Sequence, residues 1–150
     1  MTIDIPRDIL DIAERLRTQD NRITADPIFV VQEEKRVYGM DASYSDNIAW
    51  LHADECHEVD AKLARRLEKL FWDSCEPKTQ KRIDERYTRT GYFDEWVNVQ
   101  PFFTEDAADA YCDTQKHRHK GKLRVFADSA YRNPEWRAVR KFLLSLTEPG

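Results

Sequence analysis

The chain has 150 residues, 41% hydrophobic and 35% charged, with a net charge of −4. A chain of that length can bury about 68–70% of its unfolded surface, so its core needs no disulfide or metal. The acidic balance excludes a strongly basic, histone-like protein, and 7 Phe, 6 Tyr and 4 Trp exclude global disorder.

The N-terminal part predicts a helix opening at Asp4-Ile5-Pro6. Ile5, Ile9, Ile12, Ala13 and Leu16 keep helical spacing, and Gln19-Asp20-Asn21 ends it. Ile28–Val31 then reads as a strand, Glu33-Glu34 as a polar turn, and Arg36–Gly39 as the returning arm of a hairpin. Asn47–Leu51 is a third strand. Val59–Trp72 is a helix with a Leu63, Leu67, Leu70, Phe71 stripe, broken over Asp73–Lys81 with Pro77 as punctuation.

Tyr87–Phe103 is the aromatic centre of the sequence. Arg86–Tyr92 and Trp96–Phe103 read as antiparallel strands around a Phe93-Asp94-Glu95 turn. Alternation sends Val97, Val99 and Phe103 to one face and Trp96, Asn98, Gln100 and Phe102 to the other. Pro101 suits a sheet edge or a strand end. Thr104 caps the next helix, whose inner face is Ala107, Ala108, Tyr111 and Cys112. Leu123–Ala127 is a strand. Asn133-Pro134-Glu135 opens a last helix that buries Trp136, Val139, Phe142, Leu143 and Leu146.

Helices and strands do not alternate, so the expected class is α+β: a mostly antiparallel sheet of about five to six strands with about four helices packed against it. Only 4 Gly and 6 Pro occur, leaving no long linker. Residues 1–150 therefore read as a single domain, in which 1–24 form a peripheral helix and linker. Cys56, Cys75 and Cys112 lack CxxC spacing and read as reduced thiols. No apolar run nears the ~20 residues that span a bilayer, and Asp4, Arg7, Asp8 and Asp11 interrupt the N-terminus, so the expected location is cytoplasmic.

Charge is unevenly spread. Residues 41–60 carry six acids and no Lys or Arg, whereas 116–124 carry five basic residues and no acid. Over 116–141 there are nine basic residues and two acids. The basic segment implies a face for phosphates or an acidic partner: Lys116, Arg118, Lys120, Lys122 and Arg124, with Tyr131, Arg132 and Trp136 near it for stacking. A solvated turn carries the same pattern. The acidic block, with Glu105, Asp106, Asp109 and Asp113, offers carboxylates to a nucleic-acid-binding partner, or simply fills loops and helix starts.

His52, Cys56, His57, His117 and His119 are metal-binding types without a complete ligand set, and an imagined strand over His117–His119 lies among cations; no metal and no other cofactor is expected. Asp41-x-Ser43-x-Ser45 starts like a calcium loop but has Asp46 at the sixth position and His52 at the twelfth. No P-loop, GxGxxG, GxSxG or HExxH occurs. Asp94, Glu95 and Asp128 flank aromatic strands as turn and strand-end residues, so no catalytic residue is assigned; the missing signatures weigh against an enzyme, and one acting at the aromatic sheet stays open as a third class that needs a deep pocket with a perturbed carboxylate.

Several segments carry a resemblance: Pro27-Ile28-Phe29-Val30-Val31-Gln32, Tyr38-Gly39-Met40-Asp41, Arg89-Thr90-Gly91-Tyr92…Trp96, Phe102-Phe103-Thr104-Glu105 and Ala127–Trp136. Over about residues 26–146 the chain resembles a group of small phage and prophage proteins of uncharacterised activity. That resemblance implies a viral or prophage origin, and hence the host cytoplasm, with no catalytic residue to carry over. The expected role is an accessory protein binding a host or viral macromolecule, a partner protein foremost, with anti-defence (anti-CRISPR-like) inhibition as one form of it. The alternative is a nucleic-acid-binding or nucleic-acid-processing protein working through 116–124.

Overall fold

A computed structural model describes residues 4–73 and 76–147. Among the described residues there are five helices and four strands. In chain order these are α1 (Arg7–Thr18), β1 (Pro27–Met40), β2 (Ile48–His52), α2 (Ala61–Trp72), α3 (Pro77–Arg86), β3 (Tyr87–Phe102), α4 (Glu105–Gln115), β4 (Leu123–Ser129) and α5 (Pro134–Ser145). The strands hydrogen-bond in the order β2-β3-β1-β4, and the β1–β4 and β2–β3 pairs are antiparallel.

The class is α+β, as expected, but the counts differ. Both predicted hairpins are single uninterrupted strands, which reduces six expected strands to four. A tight hairpin needs residues that accept positive φ. Glu33-Glu34 supplies none, and Phe93-Asp94-Glu95 supplies Asp94 without the glycine that usually follows it, so polarity alone does not turn the chain. The fifth helix, α3, begins where a break was expected. Pro77 sits in its first turn, where no amide donor is needed, so it starts a helix instead of stopping one. Ser74 and Cys75, within that expected break, lie outside the described residues.

The chain forms two compact units, Met1–Lys35 with Trp96–Gly150, and Arg36–Glu95. β1 and β3 each contribute one part to either unit.

The first unit has two apolar clusters. In one, Ala13 and Leu16 of α1 meet Leu143 and Leu146 of α5, with Phe103 against them. The Arg17 guanidinium donates to the Leu146 carbonyl. In the other, Phe29, Val31 and Ala108 are buried with Val99, Phe102, Tyr111, Leu123, Val125 and Ala127. Thr104 Oγ1 accepts from the Ala107 amide at 3.2 Å, and Asn133 Oδ1 from the Trp136 amide at 3.0 Å, so both expected caps form. Two packing expectations need correction. Phe102 joins Val99 in the second cluster, because Pro101 ends the strict alternation of β3. Val139 and Phe142 are 48% and 62% exposed; α5 buries Arg140 and Leu143 instead, with Leu146 buried just past its end.

The second unit packs Trp50 of β2 with Val59, Leu67 of α2 and Ile83 of α3. Glu68 is its polar centre. Its carboxylate accepts from the indole N–H of Trp50 at 2.7 Å, that of Trp72 at 2.9 Å, and from Arg89 Nη2 at 2.8 Å. Hydrogen bonding from Arg89, then from the two indoles, pushes its pKa down to about 2 against the opposing pull of burial. Arg36 bridges Asp94 and Glu58, while Glu58 also accepts from the Tyr38 hydroxyl at 2.7 Å. Gly39 has φ of +99°, a conformation only glycine adopts freely.

Candidate functional site

The cationic segment lies in the first unit, between α4 and β4. Lys116–Arg118 form a 3-10 turn at the end of α4, not a strand. Lys116, Arg118, Lys120 and Lys122 are exposed, and none forms an ion pair among the described residues. The turn itself is tied down at three points. His119 Nδ1 lies 3.0 Å from Glu33 Oε1, and its Nε2 lies 3.0 Å from the Tyr111 hydroxyl. The Glu34 amide donates to the Lys122 carbonyl at 2.9 Å. At Gly121 the backbone runs so close to β1 that a Cβ would lie 1.9 Å from the Glu34 carbonyl oxygen. A backbone already held in this way spares the loop-ordering part of the cost of binding.

His117 is exposed and His119 is engaged with Glu33 and Tyr111, so the pair does not converge on one point. No group of three or more His, Cys, Asp or Glu able to hold a metal occurs among the described residues. His52 and His57 sit on a tight turn in which the His52 amide donates to the His57 carbonyl at 2.8 Å. Half of the acidic block has structural duties. Asp41 and Asp60 cap helical turns at Ser43 and Leu63, and Glu58 holds Arg36. Asp94 is likewise held by Arg36 at 2.9 Å. Burial pushes the Cys112 thiol up, away from the reactive thiolate.

Arg124 links the turn to the sheet. It stands on β4 opposite Gln32 of β1. Its Nε donates to Gln32 Oε1 at 2.9 Å, and Gln32 Nε2 donates to Asn98 Oδ1 at 2.8 Å. The guanidinium lies 4.1 Å from the centre of the Trp96 ring and 5.6 Å from that of Phe126. The period-two pattern of β4 explains the arrangement: Leu123, Val125 and Ala127 enter the core, so Arg124 and Phe126 face away from it.

The remaining expected residues lie elsewhere. β4 has seven residues, about 23 Å at the usual rise, and Tyr131 and Arg132 follow its far end. Tyr131 is 70% exposed, with the Arg137 guanidinium 5.5 Å from its ring centre. Trp136 stacks on Phe103, with ring centres 4.0 Å apart and planes 17° apart. It anchors α5 and does not stand free beside the cations. Trp96, Phe126, Gln32 and Asn98 were not singled out from sequence as site residues. The alternation around Trp96 and Asn98 was the signal that could have found them.

Comparison of the chain with protein-family models, with curated proteins and with solved structures finds no match.

Proposed function

We propose that this chain is a non-enzymatic accessory protein of phage or prophage origin that binds a host or viral macromolecule, anti-defence inhibition being one form of that role. The observation that supports the reading is the turn 116–122. It places four cations, without an ion pair among the described residues, on a backbone fixed by His119 and Gly121. Carboxylate partners at such exposed positions would add little stability, and clustered cations on a held backbone raise the local potential for an external anion. A second reading, direct binding of nucleic acid, is favoured by Arg124, whose guanidinium lies on Trp96 in line with the turn.

The test is affinity capture from infected or lysogenic cells with the natural chain and with K116A/R118A/K120A/K122A. All four sites are exposed, so the variant should melt as the natural chain does. The expected result is a partner lost from the variant. Capture of the same partners by both would overturn the reading.

A further inference from the structure

We infer that the face of the first unit bearing Trp96, Arg124 and Phe126 is a stacking platform for single-stranded nucleic acid, with the turn 116–122 holding the phosphates. The inference rests on the proposed binding role and names its partner.

Three features of the face carry it. First, it is aromatic and open: Phe126 is 43% exposed and Trp96 half-buried. Second, the hydrogen-bond chain from Arg124 through Gln32 to Asn98 fixes its polar groups in one sense. Arg124 uses Nε and Asn98 uses its carbonyl oxygen, so both terminal guanidinium nitrogens and the Asn98 amide nitrogen have no acceptor among the described residues. A ligand there must bring acceptors, as base edges and phosphates do. Third, the Arg124 guanidinium lies 4.1 Å from the centre of the Trp96 ring and 5.6 Å from that of Phe126, so the cation and both rings share one face. Guanidinium planes and aromatic rings both take unstacked bases.

The charges agree. Lys122, Arg124 and Phe126 follow one another at alternate positions, with Lys116, Arg118 and Lys120 at the Lys122 end. Two carboxylates bound the face: Glu34 beside Lys122, and Asp128 beyond Phe126. The bound strand therefore covers the span between them. A duplex keeps its bases stacked on one another and offers no ring to Phe126. An acidic peptide satisfies the cations and leaves the rings unused.

The experiment is an anisotropy titration at low salt with four labelled probes: a thymidine 12-mer, a uridine 12-mer, a DNA duplex and a glutamate-rich peptide. The expected order places at least one single strand well above the duplex and the peptide. Phe126→Ala should weaken that strand by about 5- to 150-fold, the range of one stacked base, and Phe126→Trp should restore it. No single-strand binding, or equal binding of the duplex or the peptide, overturns the platform. So does a Phe126→Ala chain that binds as the natural one does. In that last case, if K116A/R118A/K120A/K122A abolishes binding, the cationic turn still stands as a binding surface. If the quadruple variant also binds unchanged, the functional proposal falls with the platform.

Discussion

Single residues decide how this surface is held and how the second unit answers acid. Gly121 has no room for a side chain, because the obstructing atom is the backbone carbonyl of Glu34. Gly121→Ala should therefore push the turn off β1, and exchange of the Glu34 amide, which donates to the Lys122 carbonyl, should accelerate while α1 and α5 stay protected. His119→Ala should loosen the same amide by removing the link between Glu33 and Tyr111. Glu68 gives a pH dependence. Its carboxyl sits near 2, below its ordinary 4.5, so between those values the unfolded chain binds more protons than the folded one. The stability it contributes is complete above about pH 4.5 and is lost as pH falls toward 2. Denaturant titrations of Glu68→Gln across that window should show a flatter dependence than the natural chain. Little of this was legible in the sequence. Glu68 is one of many surface-patterned acids on an amphipathic helix, and only the fold brings Trp50 and Arg89 to it.

At the scale of elements, what could be read locally was read well. The caps at Thr104 and Asn133 need only a side chain and an amide three residues on. Thr104→Ala should cost about 1 kcal/mol in a denaturant midpoint measurement. The face of α5 was harder. Its apolar residues cover more than one side, and the partner helix α1 chooses Leu143 and Leu146. Leu143→Ala should destabilise by about 2–5 kcal/mol, whereas Phe142→Ser should stay within about 0.5 kcal/mol of the natural chain. The hairpins failed for a different reason. The charged stretches of β1 and β3 find partners across strands or in loops: Arg36 with Asp94 and Glu58, Glu33 with His119. An extended strand pays no penalty for charges so placed, and nothing in the local pattern announces those partners.

For the whole molecule, net charge is a poor guide. The total is −4, yet four cations with no ion pair among the described residues stand together on one turn. Polyanion binding should then weaken steeply with salt. Each neutralised phosphate of a single strand contributes a log–log slope of about −0.7, so the four turn cations with Arg124 predict about −3.5. Replacing the four turn residues with Ala should bring the slope near −0.7, read from titrations at several salt concentrations. The uneven charge was legible from the start. The lack of ion pairs to these cations among the described residues and the placement of Arg124 near two rings were not, because both depend on strands distant in sequence.

The carboxylate that accepts hydrogen bonds from two indole N–H groups has an optical consequence. Trp50 and Trp72 share the Glu68 charge, so their emission should change together when that charge is neutralised. The second unit therefore contains its own dye: acidification or Glu68→Gln should alter its spectrum, with no label attached.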